Sequence, residues 1–393
     1  MSARDCDMAI IGGGLAGGLI ALAVTRQRPD LAVRVFEAGP AGGTSRRWSW
    51  FSTDLDARCD ALMEPISVTA WKGGYEVRFP QRRRSLGTAY RSLSSADFAT
   101  DLGRLLPERT VRANCPVASF DAAGVTLADG ERIPARAVID CRGFVPTPHL
   151  SGGWQVFHGR HLRGESMHGI KRPVIMDATV GQSGAFRFVY VLPLSEQELL
   201  VEDTYYQTTG SLNEGDVARR LGRYIGRLRW PHEVVGIESG ALPVVTGGDF
   251  DAWQAERRVE GVARAGAHAG FVHPLTGYTL PFAVQTALAV AQAADLSGAS
   301  LAALLEQRAR AHWRATRFYR NLGSLLFGAA RPNERWRVFE HFYRLPRGPI
   351  ERFYAGRSTP LDKLRIFSGK PPVPVGRALS ALFTSRPQLK RAA

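Results

Sequence analysis

Met8 to Ile11 is an unbroken apolar run, a pattern that suits a short strand buried on both faces. A helix is predicted over Leu15 to Gln27, and a second strand, Ala32 to Phe36, runs into Glu37. That order is a βαβ unit. Val77 to Phe79 reads as a strand entering a charged loop at Arg82, Arg83 and Arg84, and Asp97 to Leu106 as an amphipathic helix. Between Val125 and Ile139, apolar strands flank an Ala128-Asp129-Gly130 turn. The texture changes near residue 150. Val174 to Thr179, Phe186 to Leu192 and Leu199 to Thr204 are short, β-branched or aromatic, and separated by turn residues, which predicts an antiparallel sheet. Asp216 to Arg229 reads as a helix, residues 259–270 return to small side chains, and Leu280 to Ala294 predicts an alanine-rich helix. The remainder is helical by period. Leu301, Leu304, Leu305, His312, Tyr319, Leu322 and Leu326 fall on one face, while Arg310, Arg314 and Arg317 form a separate basic stripe.

The loop after the first strand carries the first recognisable chemistry. Gly12, Gly14 and Gly17 stand at GxGxxG spacing. At the first position glycine allows the tight turn, at the second it lets backbone approach a pyrophosphate, and at the third it lets helix and strand pack closely. With Gly13 in the same loop, the helix start at Leu15 and Ala16 would offer free N–H groups and a positive dipole end to phosphates. Glu37, 20 residues past Gly17, is spaced to hold ribose hydroxyls, and a second glycine pair, Gly42 and Gly43, follows it. The set predicts dinucleotide binding; the alternative is an ordinary glycine-rich turn.

At 393 residues the chain is long enough for two or three domains. Cys6, Cys59, Cys115 and Cys141 are scattered without a CxxC pair, so neither a disulfide framework nor a zinc site is indicated, and a reducing cytosol is expected. No run approaches the ~18 apolar residues of a membrane span, and no signal-peptide pattern opens the chain. The net charge of +15 is concentrated late: residues 301–393 hold 19 Lys and Arg against five acids, with twelve aromatics interleaved, among them Trp313, Trp336, Phe339, Phe342, Tyr343, Phe353 and Tyr354. Cations beside amphipathic aromatics suit an anionic membrane surface. A solvated basic domain with core aromatics is the plainer reading, and no nucleic-acid motif accompanies the charge.

Several long segments resemble the bacterial lycopene β-cyclase family, over essentially the whole chain. They are IIGGGLAGGLIAL at 10–22, VRFPQRRR at 77–84, VIDCRGF at 138–144, PVIMDATV at 173–180, FVYVLPLSEQELLVEDTYY at 188–206, HPLTGYTLP at 273–281, RWRVFEHFYRLP at 335–346 and RFYAGR with LDKLRIFSGKPPVPV across 352–375. The resemblance implies an α/β flavoprotein of the glutathione-reductase-like class. Its Rossmann-type FAD-binding domain would span 1–150 and 256–300, an antiparallel-sheet substrate domain 151–255, and a basic helical C-terminal part 301–393. It further implies ring closure on lycopene and related polyenes to β-carotene, without net redox, by an isomerase that needs reduced FAD, with NADPH as external reductant. A cytoplasmic enzyme at the membrane surface, with other carotenoid-pathway enzymes as possible partners, is the expected setting. Two segments depart from the family pattern. A His-Thr-Trp is common where this chain has Thr44-Ser45-Arg46-Arg47-Trp48, and the glycine-rich return Ala265-Gly266-Ala267-His268-Ala269-Gly270 is longer than usual.

Ring closure needs a proton delivered to an alkene, a carbocation that survives, and a proton removed. A carboxylic acid in a dry pocket is the available strong donor. Glu202 and Asp203 follow the apolar Leu199-Leu200-Val201, and the family's required glutamate falls on Glu202. On a strand the two would point to opposite faces, so only one can face the substrate cavity. Glu202 is favoured as that acid with Asp203 a structural hydrogen-bond partner, and a surface acidic pair at a strand end is the plainer alternative. Asp177 is a second buried-acid candidate. His273, Thr276 and Gly277 precede the helix at Leu280, whose N-terminus would stabilise negative charge on a flavin; a hydrogen-bonded core histidine is the equal alternative for His273. A flavin hydroxylase is the main enzymatic rival, although the return at Gly266-Ala267 lacks the acid such enzymes carry there. The non-enzymatic rival is a lipid escort on the same fold.

Overall fold

The computed structural model describes residues 6–43, 45–369, 373–383 and 387–389. Met8–Ile11 sits at the centre of a five-stranded parallel sheet ordered Val262–Arg264, Ala137–Asp140, Met8–Ile11, Val33–Phe36, Val111–Arg112. Every residue of Met8–Ile11 and of Ala137–Asp140 is buried, because both faces are covered. Helix Leu15–Gln27 lies on one face and shares a core with helix Leu280–Ala291 through Leu19, Ile20, Ala283, Val284 and Ala287. A three-stranded sheet, Val117–Asp121, Gly124–Leu127 and Arg132–Pro134, packs Val125, Leu127 and Ile133 against the other face.

A second, seven-stranded sheet runs Glu233–Gly248, Leu150–Arg163, Glu198–Gln207, Phe186–Pro193, Val174–Asp177, Tyr75–Phe79, Arg82–Leu86. Its neighbours are antiparallel except Val174–Asp177 and Tyr75–Phe79, which run parallel. Helix Glu214–Gly226 covers one face, setting Leu221 and Ile225 on Val189, Val191 and Val201. The other face looks toward the helix Leu280–Ala291, since Gly277 lies beside Gln155 and Leu242 of this sheet.

Three sequence expectations change here. Arg82, Arg83 and Arg84 lie on a strand, not in a loop. It is an edge strand, where charge is tolerated: Arg83 pairs with Glu76 at 2.9 Å and Arg84 donates to the Tyr343 carbonyl at 2.6 Å. The long strands Leu150–Arg163 and Glu233–Gly248 were not anticipated, because glycines and outward-facing apolar residues blur their alternation. The single helical face expected from Leu301 to Leu326 is divided by a break at Thr316 between Gly298–Ala315 and Arg317–Gly328. Leu301 and Leu305 join the core of the parallel sheet, while Tyr319 and Leu326 join that of the seven-stranded sheet.

The C-terminal aromatics are also more internal than a membrane belt requires. Tyr343, Phe353 and Tyr354 are buried with Phe51, Tyr75 and Tyr90. Arg320 and Arg335 are buried too, and Arg335 donates to the carbonyls of Tyr206, Leu326 and Phe327. Part of the basic excess is therefore structural.

Candidate active site

The glycine loop has the shape its spacing implies. Gly12 has φ +97°, and a Cβ on Gly17 would fall 2.0 Å from the Gly12 carbonyl oxygen, so helix and turn touch without side chains between them. Around Gly14 the space is open, with no atom within 4 Å of where a Cβ would stand. Gly14 caps the helix with no side-chain bond, and no acid occupies the first turn, so the N–H groups near Leu15 and Ala16 remain free for an anion. The Glu37 carboxylate accepts from Gly13 N at 2.7 Å and Gly39 N at 3.2 Å, which holds it at the edge of this cradle. Gly43, at φ +58°, has open space beside it, while Thr44 lies outside the described residues.

The glycine-rich return closes onto the same loop, with Gly266 packed against Ala16. An acid does stand beside it, contributed by a different strand: His268 Nε2 lies 3.2 Å from Asp140 Oδ2, and Arg142 bonds the same carboxylate at 2.7 Å. Burial pushes the Asp140 carboxyl up, but these two partners overcome it and hold it well below the usual range. The open notch at Gly14, the unsatisfied helix start and the acid at the second strand together fit a dinucleotide.

His273 is fully enclosed. Its Nε2 donates to the Phe353 carbonyl at 3.1 Å, and its Nδ1 accepts from Thr276 N at 3.2 Å. Burial drives its pKa down to about 3, so the ring is neutral. With both ring nitrogens engaged, its geometry matches a core histidine that shapes the turn rather than a side-chain flavin ligand. Thr276 and Gly277 form that turn, Gly277 at φ +73°. Gln155 Oε1, nearby on the seven-stranded sheet, is buried without a hydrogen-bond partner, an acceptor left open beside the helix start.

Strand alternation separates the acidic pair. Asp203 points under helix Glu214–Gly226, where Arg187 grips it at 2.7 and 2.9 Å and the Tyr205 hydroxyl donates at 2.9 Å. Glu202 points to the opposite face, is only half-buried, and accepts from Thr204 Oγ1 at 2.7 Å. The register sets Gly159 beside Glu202 on one side and Tyr190 on the other. Gly159 is also opposite Glu238 of the edge strand. Because Gly159 has no side chain, Glu238 lies over it: a Cβ there would come 3.0 Å from Glu238 Cγ. The two carboxyls thus lie on one face of the sheet, either side of Gly159. Burial first, and then the Glu238 charge, push the Glu202 carboxyl up to about 8, against the Thr204 bond that favours its ionised form. Burial and the neighbouring charge both favour the protonated form of Glu202.

Sequence reasoning missed Glu238. Its strand is inverted: Val235 and Ile237 are exposed while Glu238 is buried. The sequence carries no signal of that inversion, which appears only once the sheet is assembled. Arg47, from the departing segment, lies at this end of the cavity; it bonds Ser92 Oγ at 3.0 Å, and Glu238 supports its charge against the cost of burial. His161 Nε2 approaches Glu238 at 3.4 Å, and a cavity of about 360 Å³ opens beside it, lined by Ser45, Leu194, Val235 and Ile237. Asp177 is stapled elsewhere by Thr179 and Tyr224, in keeping with a structural role.

A buried cluster of aromatic rings reaches Tyr190, beside Glu202, at one end and Tyr278, before the helix start, at the other. Phe51 packs within 6.3 Å of Tyr75, Tyr90, Tyr278 and Tyr354. The Tyr90 hydroxyl bonds those of Tyr278, at 2.8 Å, and Tyr190. Such a cluster is apolar toward a hydrocarbon and offers π faces to a cation.

The lycopene cyclase protein family model matches residues 7–380. The chain is 41% identical over 382 residues to lycopene beta-cyclase of Pseudescherichia vulneris, covering 97% of this chain and 98% of that protein. It is 40% identical over 380 residues to lycopene beta-cyclase of Pantoea ananas, covering 96% and 98%. Among solved structures it is similar in fold to a geranylgeranyl bacteriochlorophyll reductase-like protein of Thermoplasma acidophilum, with TM-score 0.62, 14% identity and coverage of 96% and 99%. HpxO of Klebsiella pneumoniae, complexed with FAD, gives TM-score 0.55 at 16% identity, covering 86% and 93%. The α/β fold is shared with these two proteins, and by its sequence over nearly its whole length the chain belongs to the lycopene cyclase family.

Proposed function

We propose that this enzyme is an FAD-dependent lycopene β-cyclase, closing rings on lycopene by way of γ-carotene to give β-carotene as an isomerisation. The observation that carries the reading is Glu202, on the sheet face opposite Asp203 and beside Tyr190, whose hydroxyl meets that of Tyr90 in the aromatic cluster; burial and Glu238 push its carboxyl up. Its proton goes to the terminal trisubstituted alkene, leaving a tertiary cation. The next trisubstituted double bond attacks that cation, the six-membered ring closes, and loss of a proton restores the ring double bond. Phe51, Tyr90 and Tyr278 would exclude water and stabilise the cation by roughly 2 kcal/mol or more per desolvated face. Reduced FAD, with NADPH as external reductant, would add an opposing negative charge. Gly12, Gly13, Gly14, Leu15, Ala16, Gly17, Glu37, Gly43, Thr276 and Gly277 would hold the flavin, and His273 would keep the last two in place.

The glutathione-reductase-like class and the division into FAD-binding parts 1–150 and 256–300, substrate sheet 151–255 and C-terminal part 301–393 belong to the same reading. So does a cytoplasmic setting at the membrane surface, where a C40 hydrocarbon and the other carotenoid-pathway enzymes would be met. The test is pigment composition in a lycopene-accumulating bacterial host. β-Carotene should appear by HPLC with the intact chain and lycopene should persist with Glu202→Gln; unchanged lycopene with the intact chain would refute the proposal.

A further inference from the structure

We propose that Glu238 is the base of the ring closure, the carboxylate that takes the proton leaving the ring, in a working pair with Glu202. This rests on the lycopene-cyclising reading above. The geometry supplies two carboxyls on one face of the sheet, brought together across Gly159, which has no side chain to part them. Two carboxyls brought together in this way hold one proton between them, which makes one an acid and the other a base.

The surroundings decide which is which. Positive and donor groups gather at Glu238: Arg47 from strand Arg47–Phe51 supports it electrostatically, and His161 from strand Leu150–Arg163 approaches at 3.4 Å. Glu202 faces Tyr190 from strand Phe186–Pro193 and Thr204 on its own strand, with the Asp203 charge behind it. The accepting role therefore falls to Glu238 and the donating role to Glu202. Glu238 is enclosed at 4% exposure, while its strand neighbours Val235 and Ile237 face outward.

The proton balance closes. Glu202 loses its proton to the alkene carbon, whose π electrons form the new C–H bond. The second alkene's electrons form the ring bond, and the C–H electrons left behind form the ring double bond as Glu238 takes that proton. Glu202 is then ionised and Glu238 protonated, and one proton transfer between the two neighbouring carboxyls restores the starting state. No proton is drawn from solvent and no oxidant or reductant is consumed.

The experiment uses full-length enzyme loaded with FAD, reduced chemically, and lycopene in vesicles, comparing intact protein with Glu238→Gln and Glu238→Asp across pH. Glu238→Gln should bind FAD normally and lose ~10²–10⁴-fold in kcat at little change in KM. Its alkaline limb should move to lower pH, because the charge that raises Glu202 is gone. Glu238→Asp, which keeps the carboxylate, should recover part of kcat and return the limb toward its original position. Full activity of Glu238→Gln with an unmoved alkaline limb, while the intact enzyme cyclises lycopene, would overturn the pair and leave the cyclase reading standing. An intact enzyme that cyclises nothing would remove both.

Discussion

At the scale of single residues, the neighbouring acids Glu202 and Asp203 should fail in different ways. Glu202→Gln keeps the shape and loses the proton, so cyclisation should fall below detection while FAD binding and folding survive. Asp203→Asn strips the carboxylate from a fully enclosed Arg187, and breaking a buried pair costs about 3–5 kcal/mol. Its denaturation midpoint should drop, with residual activity in the protein that still folds; a stable but inactive Asp203→Asn would reverse the assignment. The glycines divide similarly. Gly14→Val faces open space and should fold yet lose flavin absorbance, whereas even Gly17→Ala would drive a methyl into the Gly12 carbonyl and should lower expression of soluble protein. The roles of Gly12, Gly14 and Gly17 were legible in the sequence because each depends on neighbours a few positions away. Glu238 was not, because its partner lies across two strands.

Among secondary-structure elements, the short helix Pro360–Ile366 is the most exposed apolar surface of the basic C-terminal part. Leu361, Leu364 and the following Phe367 are 54%, 70% and 56% exposed, flanked by Lys363 and Arg365. No helix of the described residues is long and apolar enough to cross a membrane. This face is where surface binding should reside, rather than on the buried Tyr343, Phe353 and Tyr354. Replacing Leu361, Leu364 and Phe367 together by Ser should weaken flotation with anionic vesicles without altering FAD content. Raising salt should weaken the intact protein's binding as well, since surface charges are screened within a Debye length of ~8 Å at physiological ionic strength. Unchanged flotation of the triple variant would move the contact elsewhere. The sequence marked the charge correctly but could not say which aromatics were already committed to the core.

Over the whole molecule, two buried groups impose opposite dependences of stability on pH. His273 has a folded pKa of about 3 against an unfolded value near ~6.5, so the unfolded chain binds the proton first. Its contribution is complete above ~6.5 and is lost as pH falls toward 3, on the order of 5 kcal/mol in all. His312, lowered by burial to about 4, adds to the same limb. Glu202 is raised to about 8 from ~4.3, so its contribution is present at low pH and is lost as pH rises through 8. From these groups the flavin-free protein should be most stable near pH ~6.5–7. Glu202→Gln should flatten the decline between there and pH 8 in denaturant titrations, and a decline of equal slope in that variant would contradict the raised Glu202.

What the sequence by itself determined is local: the strand, glycine turn and helix from Met8 to Gln27, the acid at Glu37, and the opposed faces of Glu202 and Asp203. These follow from backbone geometry and side-chain period, which need no distant partner. The tertiary structure alone decided what distance along the chain conceals. It paired strands from residues 75–86 with the sheet of residues 150–248 and enclosed His273 against Phe353. It also divided the C-terminal helices between two cores. Most of all, it brought Glu238 over a glycine to Glu202, where burial and shared charge, which no local pattern encodes, turn two ordinary carboxyls into an acid and a base.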